Sequence, residues 1–304
     1  MHTLAAGTSY ADLMFQGLPR IIATAFLTST DGIVVIDPGP STSLPALERH
    51  LAALGAQVAD VTAVWLTHIH LDHAGATGTL LRKNPRLSVV VHEVGAPHMA
   101  DPSRLLASAG RLYGDQMGPL WGEVLPVPVT AIRPVRGGEV LTNGGRPWRV
   151  AYTPGHASHH VSFFSPDTGI AFVGDTAGVQ VMPGGFVLPP TPPPDIDVPQ
   201  WLQSLATIEA WRPSSLVLTH FGPTHTVASH LAELRDHLQM VDRFAREAMT
   251  RSGEEPDQEA WFTDRIRMEM TRRMGEADLR AYQVAGRFDL NWRGLRRFVS
   301  RGGR

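Results

Sequence analysis

Residues 68 to 73 read His68-Ile69-His70-Leu71-Asp72-His73, four metal-competent side chains within six residues. They follow directly on the apolar run Val61 to Leu66, which reads as a strand. The cluster therefore sits in a loop at a strand end. In a turning loop such side chains can point to two adjacent centres. Neutral imidazole and carboxylate suit zinc, iron or manganese. The chain has no cysteine, so disulfides and thiolate ligation are excluded and a metal must rest on His, Asp or Glu.

The surrounding pattern supplies a frame for such a loop. Ile21 to Ser29 and Gly32 to Ile36 are apolar, β-branched runs joined by Thr30-Asp31-Gly32, a hairpin signature. Leu44, Leu47, Leu51 and Leu54 recur at helical spacing, and Gly55 fits a C-terminal cap. Gly75 to Asn84 reads as helix stopping before Pro85, and Leu87 to Val91 as a short buried strand. An insert from Ala96 to Pro128 carries Leu105, Leu112, Tyr113, Leu120 and Trp121, a helical stretch with a rich apolar face. Strands return at Trp148 to Tyr152, Val161 to Phe164, Ile170 to Val173 and Leu216 to Leu218. Met182 to Pro199 is a loop with seven prolines, either a stiff flap or a plain connector. From Thr226 the chain is helical, and Pro256 to Arg304 is helical and Arg-rich.

Strands and helices thus occur twice over. Each half would give a sheet covered by helices on its outer side, and two such sheets face to face give a four-layer α/β/β/α sandwich. The expected division is a catalytic domain at 1–225 and a C-terminal helical region at 226–304.

Three later residues occupy equivalent places. His156 follows a strand in Thr153-Pro154-Gly155-His156, Asp175 in Gly174-Asp175-Thr176, and His220 in Thr219-His220-Phe221-Gly222. Strand ends at one edge of a sandwich converge, so separate loops can build one site. Singly each is weak; together, in this order, they form a constellation.

That constellation resembles the metallo-β-lactamase superfamily, and within it hydrolases such as glyoxalase II, over about Ile21 to Pro223. The resemblance implies one metal on His68, His70 and His156, a second on Asp72, His73 and His220, and Asp175 bridging them. It implies two divalent ions, zinc first and iron or manganese next. Asp37, in Ile36-Asp37-Pro38-Gly39, matches the family's acidic residue near the site; orienting a ligand and serving as a plain turn are both open for it. A bridged pair of cations lowers the pKa of water from 15.7 toward about 7, and the hydroxide attacks an ester-like carbonyl: thioester, lactone, ester or β-lactam. Asp72 would orient the nucleophile or pass a proton. The rivals are a mononuclear iron enzyme of the persulfide dioxygenase kind and a non-catalytic binding protein on the same fold. The complete second ligand set speaks against both.

Other features bear on substrate and partner. Asp175 is followed by Thr176-Ala177-Gly178-Val179, which matches neither the glutathione pattern nor the Tyr of quorum-quenching lactonases. Met99, Met117, Trp121, Met182, Phe186 and Leu188 could line an adaptable apolar pocket or belong to the core. His159 and His160 could support the site, His92 could line its pocket, and His98 is a weaker candidate. His230 and His237, seven residues apart on one helical face, read as packing residues. Trp261, Phe262, Ile266, Met270 and Met274 make an apolar face on a segment rich in Arg. That segment is expected to pack on the sandwich or a partner subunit and to shape the substrate entrance, the alternative being a stabilising appendage. A net charge of -2 argues against nucleic acid, since phosphate neutralisation needs a basic surface. No run approaches the roughly 18 apolar residues of a membrane span, and Met1 to Arg20 lacks a secretory signature. The expectation is a cytoplasmic enzyme, possibly a homodimer, acting on a small molecule.

Overall fold

The computed structural model describes residues 1–303. Its first half is a seven-stranded sheet in sequential order: β1 (His2–Ala5), β2 (Thr8–Asp12), β3 (Ala23–Ser29), β4 (Gly32–Ile36), β5 (Val61–Trp65), β6 (Ser88–His92) and β7 (Ile132–Val135). β1 to β4 run antiparallel and β4 to β7 parallel. The parallel strands need crossovers. These are α1 (Leu44–Ala53), then α2 (Leu71–Ala74) with α3 (Thr77–Lys83), then the insert helices α4 (Ala96–Ala100), α5 (Ser103–Tyr113) and α6 (Met117–Trp121).

The second sheet holds β8 (Val140–Asn143), β9 (Arg146–Tyr152), β10 (Val161–Ser165), β11 (Ile170–Phe172), β12 (Ser215–Leu218) and β13 (Gly222–Thr224), in the order β13-β12-β11-β10-β9-β8. Helix α7 (Val198–Ala210) crosses from β11 to its parallel neighbour β12. Helices α8 (Val227–Thr250), α9 (Glu255–Thr271), α10 (Glu276–Ala285) and α11 (Phe288–Ser300) complete the chain.

The period of two along each strand sorts the layers. On β4, Val34 and Ile36 face the second sheet, while Ile33 and Val35 face Leu47 and Leu51 of α1. On the other sheet Phe163 and Phe172 point inward, while Phe164 and Ala171 point out toward α7 and α8. Between the sheets Trp65 lies 6.0 Å from Trp148 and 5.4 Å from Phe163, ring centre to centre. Helix, sheet, sheet, helix is therefore the observed order, as the four-layer reading requires.

The C-terminal helices join the outer core of the second sheet. Phe262, Ile266 and Met270 are fully buried among Leu205, Ile208 and Leu238, with Trp261 and Met274 packed beside them. β7, β8 and β13, the β1–β2 hairpin and α7 escaped the sequence reading. The β1–β2 hairpin is short, with a burial pattern of only partial alternation. Helix α7 is masked by the prolines before it; its start is set by Asp197, whose side chain accepts from Gln200 N at 2.9 Å, and by Pro199 in the first turn.

Candidate metal centre

All the expected ligands lie at one edge of the sandwich, each just beyond a strand end. The loop after β5 carries His68 and His70, and the single turn of α2 turns Asp72 and His73 into the same space. His156 follows β9, Asp175 follows β11 and His220 follows β12. Three overlapping groups result: His68, His70 and His156; His68, His73 and Asp175; Asp72, His73 and His220. Within each, one donor atom per residue lies within 4.8 Å of the others.

The inner nitrogens face one another. His70 Nδ1 lies 3.0 Å from both His68 Nε2 and His156 Nε2. Asp175 reaches both sides: Oδ2 is 3.4 Å from His156 Nε2, and Oδ1 is 3.3 Å from His73 Nε2 and 3.6 Å from His220 Nε2. Asp72 Oδ2 lies 3.3 Å from His220 Nε2.

The outer nitrogens are held from behind. His73 Nδ1 donates to Asp37 Oδ2 at 2.8 Å, His156 Nδ1 to the Pro190 carbonyl at 2.8 Å, and His220 Nδ1 to the Ile21 carbonyl at 2.6 Å. His68 Nδ1 lies 3.1 Å from Thr67 Oγ1, which itself donates to Asp37 Oδ2 at 2.7 Å. A proton on each outer nitrogen leaves the inner lone pair free, as metal ligation requires.

Asp37 is the hub of this support. Its carboxylate also accepts from Thr67 N at 2.8 Å and Thr219 Oγ1 at 3.0 Å. Its φ of 49° lies in the left-handed region, which Asp tolerates better than most residues. Asp37 is thus no plain turn residue; it ties the β4, β5 and β12 ends together. Thr67 and Thr219 were missed by the sequence reading, although each stands immediately before a candidate ligand.

The site's charges explain why a cation fits. His73 Nε2, His220 Nε2 and Asp175 Oδ1 are buried with no hydrogen-bond partner. Each such orphan costs about 1–3 kcal/mol, more if charged, so three together in one spot are not a stability device. Burial pushes the His68 imidazole well down, His70 to about 4, and His156 down, so all three are neutral near pH 7. For Asp72 burial acts upward, but His73 and His220 outweigh it and hold the carboxyl at about 2. Asp175 is likewise held well below the usual carboxylate range, by His73, His220 and His156 against burial. Burial lowers His73 and His220 too, yet Asp175 with the neighbouring carboxylates drives both upward. The carboxylates of Asp175 and Asp72 recruit protons onto the facing rings; divalent cations would take that place.

The other histidines separate cleanly. His160 Nε2 accepts from Asp175 N at 3.2 Å, and its Nδ1 lies 3.1 Å from Thr153 Oγ1 and 3.0 Å from Thr176 Oγ1, so it fixes the Asp175 turn. Gly174 permits this: a Cβ there would lie 2.5 Å from Thr67 Oγ1 and 2.6 Å from His160 Nε2. His159 and His98 line the adjoining cavity. His92 does not; it stacks on Tyr152 at 4.4 Å. His230 and His237 pack inward, bonding to the Ala177 and Val187 carbonyls.

Beside the donors opens a cavity of about 460 Å³, which His70, Asp72, His156 and Asp175 help to line. Its walls come from α5 and α6, from Pro190 and Pro192 to Pro194, and from the α10–α11 corner between Gln283 and Asn291. For Met99, Met117, Trp121, Met182, Phe186 and Leu188 the sequence leaves pocket and core both open, and the structure divides them, with Met182 exposed. Only Trp121 lines the cavity; Met99, Phe186 and Leu188 are core residues, and Met117 packs against the core.

Comparison with known proteins agrees with this geometry. The model of the metallo-beta-lactamase superfamily matches residues 18–220. A metallo-beta-lactamase fold-containing protein, ST1585 of Sulfurisphaera tokodaii, is 29% identical over 205 residues, 66% of this chain and 73% of that one. A hydroxyacylglutathione hydrolase of a Synechococcus strain is 30% identical over 142 residues, 47% of this chain and 42% of that enzyme. The chain thus spans well under half the length of that relative. Among solved structures, a metallo-beta-lactamase family protein of Thermus thermophilus superposes with a TM-score of 0.71 at 21% identity, over 99% of this chain and 95% of that one. A subclass B3 metallo-beta-lactamase, MEM-A1 from a soil metagenome, gives 0.57 at 20% identity, over 82% of this chain and 97% of that one. Sequence, fold and the strand-end cluster of histidines and aspartates agree: the chain belongs to the metallo-beta-lactamase superfamily, a superfamily of metal-dependent hydrolases.

Proposed function

We propose that this chain is a dinuclear metal-dependent hydrolase of an ester-like carbonyl, whether thioester, lactone, ester or β-lactam. His68, His70 and His156 would hold one ion, Asp72, His73 and His220 the other, and Asp175 both. Zinc is the first choice for such a nitrogen and oxygen donor set, with iron and manganese next. The carrying observation is Asp175, whose two oxygens face different histidines on opposite sides at 3.3 to 3.6 Å. When bound, the pair of cations would make water nucleophilic near neutral pH and polarise a carbonyl.

The chain's own groups supply the rest. Asp72, its side chain 23% exposed, lines the cavity and can orient water and carry a proton. The outer hydrogen bonds of the imidazoles keep the donor set rigid, which the geometry of attack demands. In the reaction the water oxygen bonds to the acyl carbon, the carbon–sulfur, carbon–oxygen or (for a β-lactam) carbon–nitrogen bond breaks, and the proton passes to the leaving thiolate, alkoxide or ring nitrogen. An intact second donor set distinguishes this reading from a single-iron dioxygenase. The test is a panel of thioesters, lactones, esters and β-lactams on metal-loaded protein. Hydrolysis of at least one class, abolished by chelation and restored by added zinc, is expected; turnover indifferent to chelation would overturn the proposal.

A further inference from the structure

The cavity beside the donor cluster is built of unlike parts. Its inner wall is carbon: Phe15, Ala109, Trp121 and Leu290, each less than a tenth exposed. Leu112 and Leu120 extend that surface. Arg104, Ser108 and Asp195 also line the cavity, and all three are more open to solvent than the inner wall.

Some polar groups of the wall are engaged and others are not: among the described residues, Asn291 Nδ2 and Trp121 Nε1 are buried without a hydrogen-bond partner. Arg287 is tied to Asp289 by hydrogen bonds of 2.5 and 3.0 Å. The Asn291 side-chain carbonyl accepts from Thr191 N at 2.8 Å. Tyr113 makes no hydrogen bond among the described residues, and burial raises its hydroxyl so that it stays protonated. A peptide-like or sugar-like group seated there would meet the Tyr113 hydroxyl and at most two N–H donors, fewer partners than the hydrogen bonds it gives up to water, an unfavourable transfer. An apolar group gains from every buried methylene. A volume of about 460 Å³ falls within the usual range for small-molecule sites, about 300–1,000 Å³.

Building on the hydrolase reading, we infer that the substrate is a thioester or ester of a medium-length apolar acyl group, seated between α5, α6 and the α10–α11 corner. The polar leaving group departs past the Arg104 side. The acyl group takes the inner half because the leaving thiol or alcohol must return to water, and the largely carbon wall offers it few partners. The C-terminal helices thereby read the length of the acyl chain.

The test combines binding with turnover, on the metal-loaded protein. Calorimetric titration with butyrate and decanoate measures the acyl seat without any reaction. Affinity rises by about fourfold for each added methylene until the cavity is filled, so decanoate binds at least about a hundredfold more tightly than butyrate. Leu112→Trp on α5 and Val284→Trp on α10 each fill part of the cavity from a different wall. Val284 is 39% exposed, so its replacement does not disturb the core. Either variant lowers the decanoate-to-butyrate affinity ratio, and the matching ratio of kcat/KM for decanoyl and butyryl thioesters, by about tenfold or more. Equal affinity for the two acids overturns the inference, as do ratios that both variants leave unchanged. If decanoate binds in this Leu112-dependent way while no acyl ester is hydrolysed, the acyl seat stands and the hydrolase reading falls.

Discussion

The donor cluster and the cavity beside it share residues but are built on opposite principles. Every donor sits within eight residues after a strand end, Asp72 and His73 on the single turn of α2, so the hydrogen-bonded sheets set its position. The cavity is walled by helices and a proline-rich loop separated by up to a hundred residues and more, from Phe15 to Asn291. Sheet ends place side chains through fixed backbone; helix walls place them through packing alone, which drifts more readily between relatives. The candidate donors are therefore tied to the sandwich, and the shape of the cavity to the helices and the proline-rich loop. The subclass B3 structure, which matches 82% of this chain while covering 97% of itself, keeps the shared sandwich with less additional chain.

Three experiments press on that contrast. The largest effect is expected at Asp37, the support behind the donors. Asp37→Asn replaces an acceptor that His73, Thr67 and Thr219 all use. Metal affinity should fall about ten- to a hundredfold, measured by competition with a chromogenic chelator. Affinity unchanged would mean that the sheet ends hold the donors without it.

A smaller effect is expected at Gly294, where α11 meets the proline loop. A Cβ there would lie 2.0 Å from the Thr191 carbonyl oxygen and 2.7 Å from the Pro192 carbonyl carbon, with no flexible side chain to yield. Gly294→Ala should destabilise the fold by about 1–3 kcal/mol in urea denaturation. The same loop offers the Pro190 carbonyl to His156. KM should therefore rise more than metal content falls; the reverse pattern would make the loop a support for the donors first and a cavity wall second.

The smallest effect concerns the seam between the two regions. His230 on α8 bonds to the Ala177 carbonyl at 2.8 Å, in the turn that carries Asp175. Burial holds its ring below the ordinary value of 6.5. As pH falls beneath 6.5, the unfolded chain takes up a proton that the folded ring refuses, so stability drops with acidity. In His230→Gln the difference in urea midpoint between about pH 7.5 and about pH 5.5 should shrink by a few tenths molar. An unaltered difference would mean that the ring is protonated in place.

The same contrast decides what the sequence discloses. His68, His70, Asp72 and His73 fall within six residues and follow an apolar run, so spacing alone exposes them. His156, Asp175 and His220 are visible because a strand and a Gly- or Pro-containing turn frame each one. The four layers follow from alternation on strands such as β4, where Ile33 and Val35 point one way and Val34 and Ile36 the other. The cavity leaves no such trace. Leu112, Val284 and Leu290 look like any amphipathic helix residues until the helices are docked. Of the methionines that could belong to pocket or core, Met99 is in the core, Met117 packs beside it and Met182 is exposed, since an apolar side chain carries no mark of which surface will cover it. His98, the weaker candidate, lines the cavity, while His92 stacks on Tyr152.

The central claim is that the strand-end cluster holds two metal ions through Asp175. The direct measurement is metal content per chain by mass spectrometry on purified, zinc-equilibrated protein, for wild type, His70→Ala and His220→Ala. The account predicts about two equivalents in the wild type and about one in each variant. Hydrolytic activity should fall by more than about a hundredfold in both variants. A single equivalent in the wild type, retained in full by His220→Ala, would contradict it.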